Sequence, residues 1–374
     1  MTDYRMCTRC VMDTSDPEIT FDENGVCNHC HTYDRMVRQY VVDGEEGLRE
    51  FQRIAEKIRR DGHGKQYDCI IGISGGVDST YVAYQVKKYG LRPLAIHVDN
   101  GWDSELAVKN IEETLKRLNI DLYTEVLDWE EFKDLQAAFL KASTPDSEVP
   151  SDHAINAVLS RMAERIGVKY IILGTNVRTE SHLPRAWSQG HQDWKYIRGL
   201  HRVFGTRPLK TFPHYGFFTY YRRMLTEKRV EILNYIGYNK GKALQILQDE
   251  LGWRYYGGKH YESIYTRFYQ GFILPEKFGF DKRRSHLSSL ICSGEITREK
   301  ALEELNIPTY SPSMQEEDRE YVVKKLGFTE EAFSVLMKST VKSYWDYPSY
   351  GHFMNRPFVL KLVPFVKKVV SWFK

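Results

Sequence analysis

Two groups of residues have types and spacings suited to chemistry. The first is Cys7-x-x-Cys10 followed by Cys27-x-x-Cys30, four of the chain's six cysteines within its first thirty positions. Two such pairs form two knuckles that meet at one tetrahedral ion, the pattern of a four-thiolate zinc ribbon. Asp22, Asn24 and Gly25 supply the turn between them. The module is too poor in apolar residues to fold without a staple, which bound metal would provide. His29 and His31 are spare, because four thiolates complete the shell; a redox reading of Cys7 and Cys10 is the competing one. The second group is Ser74, Gly75, Gly76, Val77, Asp78, Ser79 and Thr80, directly after the apolar run 68–73 and directly before a helical stretch. Adjacent glycines let backbone approach an oxyanion, helix-terminal amides face it, and the hydroxyls of Ser74, Ser79 and Thr80 add donors. No lysine follows at the GxxxxGK spacing, so this is not the familiar loop that cradles a transferable γ-phosphate.

The elements that must position these residues are legible in the apolar pattern. Short apolar runs at 68–73, 94–98, 122–127 and 169–173 alternate with helical stretches at 78–89, 104–118, 130–141 and 152–166. Strands apolar on both faces, alternating with helices, predict an α/β fold with a parallel sheet and right-handed crossovers. Residues 36–60 read as one helix leading out of the cysteine module. Beyond about residue 190 the chain turns aromatic and basic and reads as largely helical without clear strands. Helices are expected at 218–236, 240–251, 259–270, 298–305 and 315–325, the fourth capped by Thr297. The predicted organisation is a zinc ribbon at 1–35, a connecting helix at 36–65, a nucleotide domain at 66–190, a helical substrate or partner region at 191–345, and a tail at 346–374.

With 374 residues, 42% hydrophobic and 28% charged, the chain can bury a large core, and it has no apolar run long enough to cross a bilayer. Cys7 and Cys10 stand where a signal peptide would carry its apolar core, which leads to a cytoplasmic expectation. The net charge of +3 argues neither for nor against nucleic acid, and no nucleic-acid partner is expected. The last stretch, 358–374, spaces Phe358, Leu362, Phe365, Val366, Val369, Val370 and Phe373 at three and four residues among lysines. That spacing predicts an amphipathic helix, packed on its own core or exposed for an anionic membrane surface or a partner.

SGGVDST at 74–80 resembles the signature of the PP-loop ATP pyrophosphatases, whose fold is Rossmann-like (adenine nucleotide alpha hydrolase-like) and which cleave ATP between its α- and β-phosphates. The resemblance implies that Ser74, Gly75, Gly76, Asp78, Ser79 and Thr80 hold the departing pyrophosphate, Asp78 through Mg2+. Two further strand ends fit that site: Asp99, and Gly174, Thr175 and Asn176, each with a plain-turn reading as its alternative. Over nearly the whole chain, the stretches at 7–30, 74–80, 252–270 and 277–302 resemble the N-acetyl sugar amidotransferases of bacterial surface-polysaccharide and flagellin-glycan biosynthesis. That family implies conversion of an acetamido to an acetamidino group on a nucleotide sugar, for lipopolysaccharide O-antigen or a related glycan. ATP, Mg2+ and Zn2+ are the implied cofactors. Ammonia would come from a partner glutaminase and a cyclase-like channel subunit resembling those of imidazole glycerol phosphate synthase.

Lys259, His260, Glu262 and Arg267 fall at spacings that share a helix. Lys259 and Arg267 would neutralise phosphate oxygens, and Glu262 would position ammonia or take its proton; a solvated charged helix is the alternative. The run Lys282, Arg283, Arg284 would grip a sugar diphosphate or be plain solvated surface. The rival function is a PP-loop tRNA-modifying sulfurtransferase. It requires a reactive thiol near the phosphates, whereas Cys69 and Cys292 both read as inert buried thiols. A scaffold that binds ATP without turnover is the third reading.

Overall fold

The computed structural model describes residues 3–258, 261–309 and 311–356. Five strands, β1 (Cys69–Gly72), β2 (Pro93–Asp99), β3 (Asp121–Val126), β4 (Tyr170–Leu173) and β5 (Lys228–Glu231), form one sheet in the order β3-β2-β1-β4-β5. Every pairing is parallel. Two helices precede the sheet, α1 (Asn28–Tyr40) and α2 (Gly44–Asp61), and four more follow its first strands: α3 (Val77–Lys88), α4 (Glu105–Leu118), α5 (Trp129–Ala142) and α6 (Val149–Arg165). Alternation along β1 sends Cys69, Ile71 and Ile73 to one face against Val82, Val86, Ile111 and Leu115. Ile70 goes to the other face, against Val158, Leu159 and Met162. The sheet is thus covered on both sides, as parallel strands require. At the edge the rule relaxes: β3 leaves Val126 69% exposed.

The remaining helices are α7 (Val177–Glu180), α8 (Trp194–Phe204), α9 (Phe217–Thr226), α10 (Lys240–Leu251), α11 (Ile264–Phe268), α12 (Arg283–Cys292), α13 (Arg298–Asn306), α14 (Pro312–Leu326), α15 (Glu330–Lys338) and α16 (Gly351–Met354). A π-helical stretch, Tyr269–Phe278, continues α11. Among the described residues no helix is long and apolar enough to cross a membrane.

Three expected helices differ from what forms. Residues 36–60 carry two helices, because the chain turns at 41–43 and Gly44 takes a left-handed φ of +63°. The stretch 218–236 breaks at Glu227, where the backbone extends and Lys228 donates to Lys169 O, 2.8 Å. The open edge of β4 recruits it as a fifth strand, in a region expected to be without strands. In the expected helix 259–270, the described residues, from 261 on, become helical only at Ile264, since the Ser263 hydroxyl caps that helix by accepting from Thr266 N. By contrast, α13 starts behind Thr297 as its hydroxyl predicts. The amphipathic stretch 358–374 lies outside the described residues.

The cysteine module is seated on the C-terminal helices. Val11 packs with Leu287 and Ala301. Arg298 donates to Cys7 O and Cys10 O, both at 3.0 Å. Arg284 pairs with Asp13 at 3.0 Å and donates to Val11 O.

Candidate active site

The strand order reverses direction at β1, so the crevice outside the carboxyl ends of β1 and β4 is where a parallel sheet binds ligand. The turn 73–76 lies there. Gly75 has φ +80°, and a Cβ on it would sit 2.8 Å from Ala107 O, so both conformation and space demand glycine. Gly76 is the N-cap of α3, whose first amides have no partner within the helix and face the turn. Within the turn, Ser74 N donates to Ser79 Oγ at 3.2 Å, and Gly76 N donates to Ser74 Oγ at 3.4 Å. Gly174, at the end of β4, backs this turn: a Cβ there would lie 3.1 Å from Asp78 C and Ser79 N. His97 braces the base, with Nδ1 against Ile73 O and Nε2 against Asp103, 3.0 and 3.1 Å.

The chain beyond residue 230 furnishes the other wall. Trp253 Nε1 donates to Gly75 O at 3.0 Å, and the Tyr238 hydroxyl donates to Asp78 Oδ1. Gly76 faces the Glu262 carboxylate and the Tyr256 hydroxyl, which a Cβ would meet at 3.5 and 3.6 Å. Glu262 is fixed by its backbone: Ser104 N donates to its carbonyl at 2.8 Å, and Ile264 N donates to Trp102 O at 2.9 Å. Burial pushes the Tyr238 phenol far up, and the Asp78 charge adds to this; burial and then the Glu262 charge do the same to Tyr256. Both phenols therefore stay protonated and act as donors to carboxylates. Hydroxyls and helix amides suit an anion, while Asp78 and Glu262 would repel a bare polyphosphate. The donor set therefore fits a polyphosphate that arrives with a hard divalent cation such as Mg2+, for which these carboxylates are suitable oxygen ligands.

Of the residues singled out from sequence, Ser74, Gly75, Gly76, Asp78, Ser79, Gly174 and Glu262 are brought together here. Others are committed elsewhere. Thr80 is fully buried with its hydroxyl turned inward, because position four of α3 faces the sheet. Asp99 spends Oδ1 on Gly101 N, 2.8 Å, in a tight turn. Asn176 caps α7 by accepting from Thr179 N, and Thr175 donates to Glu231 at 3.0 Å. Glu262 precedes α11, so it does not share a helix with Arg267. Arg267 is held bidentately by Asp318, both bonds 2.7 Å, tying α11 to α14; a guanidinium neutralised by a buried carboxylate has little left for phosphate. Lys259 and His260 lie outside the described residues. In the basic run, Lys282 pairs with Glu148, Arg283 with Asp281 and Arg284 with Asp13, so these side chains join elements and do not line a free basic surface. Tyr238, Trp253 and Tyr256 escaped the sequence reading; their one local signal is the aromatic-glycine density around 253–258.

The four N-terminal cysteines converge. All are fully buried, and their sulfurs lie within 4.8 Å of one another, with Cys7–Cys30 at 3.9 Å and Cys10–Cys27 and Cys27–Cys30 at 3.7 Å. Sulfurs bound at about 2.3 Å to one tetrahedral ion stand ~3.8 Å apart, so the set fits zinc and is too tight to wrap an iron–sulfur cubane. His29 and His31 turn to Asp16 and Asp22, at 2.6 and 2.8 Å, and take no part. Cys69 is buried in β1, and burial pushes its thiol up. Cys292 is not the inert buried thiol expected: it is half-buried, and its sulfur lies 3.8 Å from that of Cys30.

Residues 262–360 match the family model described as LPS biosynthesis protein WbpG-like, C-terminal domain. An uncharacterized protein of Methanocaldococcus jannaschii is 24% identical over 318 residues, 84% of this chain and 97% of that protein. Among solved structures, an NMN synthetase from Francisella tularensis aligns with 12% identity and a TM-score of 0.34 over 79% of this chain and 97% of that one. An NH3-dependent NAD synthetase from Campylobacter jejuni aligns with 14% identity and a TM-score of 0.30 over 79% and 98%. The matched stretch begins at Glu262, the residue set over the glycine turn, so the part of the chain that is similar to the WbpG-like LPS biosynthesis domain is the part that meets that turn.

Proposed function

We propose that the chain is an ATP-dependent amidotransferase of surface-glycan biosynthesis, converting the acetamido group of a nucleotide sugar to an acetamidino group. The amide oxygen attacks the α-phosphate of ATP, pyrophosphate leaves, and the oxygen becomes part of an imidate adenylate. Ammonia then adds to the imidate carbon. The tetrahedral adduct gives up a proton from the added nitrogen and expels AMP, leaving an amidine. In this reading Ser74, Gly75, Gly76, Asp78 and Ser79 hold the pyrophosphate; Asp78 would hold the Mg2+, which would supply charge neutralisation for the leaving group. Glu262 takes the proton shed by ammonia. Lys259, one residue beyond Gly258, is the proposed cation for the leaving group.

The observation that carries this reading is the placement of Glu262 over Gly76, a carboxylate from the WbpG-like domain against the nucleotide turn. The cysteines favour ammonia over sulfur transfer: all six are accounted for in the N-terminal cluster, beside it, or buried in β1, and none lies at the turn. Ammonia is proposed to come from a partner glutaminase through a cyclase-like channel subunit. The test is release of AMP and pyrophosphate from ATP that requires both an N-acetylated nucleotide sugar and ammonium. The expected product mass shows replacement of one oxygen by NH. Hydrolysis of ATP indifferent to both additions would overturn the proposal.

A further inference from the structure

We propose that the cysteine module is a two-metal centre: Cys30 bridges the ion of the four-cysteine site to a second thiophilic divalent ion, zinc in kind, held also by Cys292 and His182. This rests on the reading of the four-cysteine cluster as a metal site.

The distances carry it. Cys292 Sγ lies 3.8 Å from Cys30 Sγ and 3.6 Å from His182 Nε2. The three ligand atoms lie within 4.8 Å of one another. Around one tetrahedral zinc, with bonds of about 2.3 Å to sulfur and 2.05 Å to imidazole, the sulfur–sulfur edge is ~3.8 Å and the sulfur–nitrogen edge ~3.6 Å. The spacing is that of ligands already in position.

The histidine is prepared for such a role. His182 is fully buried, and its Nδ1 lies 3.0 Å from Ser289 Oγ. The Ser289 hydroxyl gives its hydrogen to Ser285 O, 3.2 Å, so it can only accept from the ring. The Nδ1 proton is thereby fixed, and the Nε2 lone pair faces the sulfurs, the outer-shell arrangement typical of metal-bound histidine. Charge points the same way. Four thiolates around one divalent ion leave two formal negative charges in a fully buried site, and the nearby Arg9 is taken by Asp34 at 2.7 Å. A second divalent ion with one more thiolate leaves a single negative charge.

The three ligands come from different parts of the fold: Cys30 from α1, His182 from just beyond α7, and Cys292 from the last residue of α12 in the WbpG-like domain. A second ion would therefore tie the N-terminal module both to the segment following the β4 nucleotide strand and to the family domain. Its fourth position is left to water, an open site of the kind structural centres do not keep.

Metal analysis of the full-length chain, purified with zinc present and desalted, tests this. Two zinc ions per chain are expected in the wild type and in Cys69→Ser, whose thiol lies in β1, against one in Cys292→Ala and in His182→Ala. The zinc X-ray absorption spectrum supplies a measurement that needs no variant: a mixed sulfur and nitrogen shell with a zinc–zinc vector is expected. One zinc per wild-type chain in a pure sulfur shell would overturn the two-metal proposal and leave the four-cysteine site standing. It would mean that Cys292 and His182 share only a thiol–imidazole hydrogen bond. Absence of metal altogether would overturn both.

Discussion

The Tyr238 hydroxyl donates to Asp78 across 160 residues of sequence, joining the segment before α10 to the first turn of α3. A phenol that cannot ionise at neutral pH holds one carboxylate oxygen in a fixed direction. Asp78 is thus oriented before any ligand arrives. Asp78→Asn should lower AMP and pyrophosphate formation by about 10²- to 10³-fold, the scale of losing a preorganised charge at a reacting phosphate. Tyr238→Phe, which removes only the orienting bond, should cost about tenfold. Initial rates of pyrophosphate release, with melting curves to show intact folds, decide it. An Asp78→Asn enzyme at wild-type rate would remove this turn from the chemistry.

Glu262 faces the same turn, and the proposed reaction gives it a part in the second half. In a single turnover Glu262→Gln should still release pyrophosphate while amidine formation falls, because adenylation does not need the proton acceptor. Rapid quench with both products followed is the measurement. If the pyrophosphate burst disappears as well, Glu262 serves the metal-bound polyphosphate and the base lies elsewhere.

Arg267 and Asp318 test the opposite assignment, structure without chemistry. Their side chains are 17% and 8% exposed and doubly bonded. Arg267→Leu alone takes two charge-assisted bonds from a buried carboxylate and should destabilise the fold by about 3–5 kcal/mol. The Arg267→Leu, Asp318→Leu pair should recover most of that. Urea denaturation reads the stability. Should Arg267→Leu instead leave stability untouched and raise the KM for ATP, the guanidinium contacts substrate after all.

How far the chain could be read in advance follows from how local each signal is. The Cys7-x-x-Cys10 and Cys27-x-x-Cys30 knuckles, and the glycine turn between an apolar run and a helix, are written in neighbouring residues. Each forms where its spacing places it. The strand Lys228–Glu231 carries no apolar run, because an edge position buries little and is specified by the open backbone of β4. The charges at 259–267 have helical spacing without an apolar stripe to enforce it, and the Ser263 cap decides instead where the helix begins. Tyr238, Trp253, His182 and Cys292 acquire their roles only through tertiary contact with residues more than a hundred positions away.

A last prediction concerns a polar cluster beneath α6, where His191 Nε2 meets Asp146 at 3.0 Å and Asp152 at 3.4 Å. Burial alone would depress the imidazole, but the Asp146 charge, its hydrogen bond and the Asp152 charge together outweigh it and hold His191 up at about 9, against an ordinary 6.5. Asp146 goes the other way: burial pushes it up, and the His191 charge and hydrogen bond, with the Lys282 charge and the Ser188 hydroxyl, together bring it down to about 2 from 3.8. For the raised group, the stabilisation is whole below pH 6.5 and is lost as the pH climbs through about 9. For the depressed group, it is present above pH 3.8 and is lost as the pH falls through about 2. The pair therefore stabilises the fold most between roughly pH 4 and 6.5, by at most about 3 kcal/mol. Urea midpoints measured from pH 6 to pH 9.5 should fall more steeply in the wild type than in His191→Gln, the two curves converging at the alkaline end. Parallel curves over that range would show that His191 holds its proton no more tightly in the folded chain than in the unfolded one, and the charge pair would have to be given up.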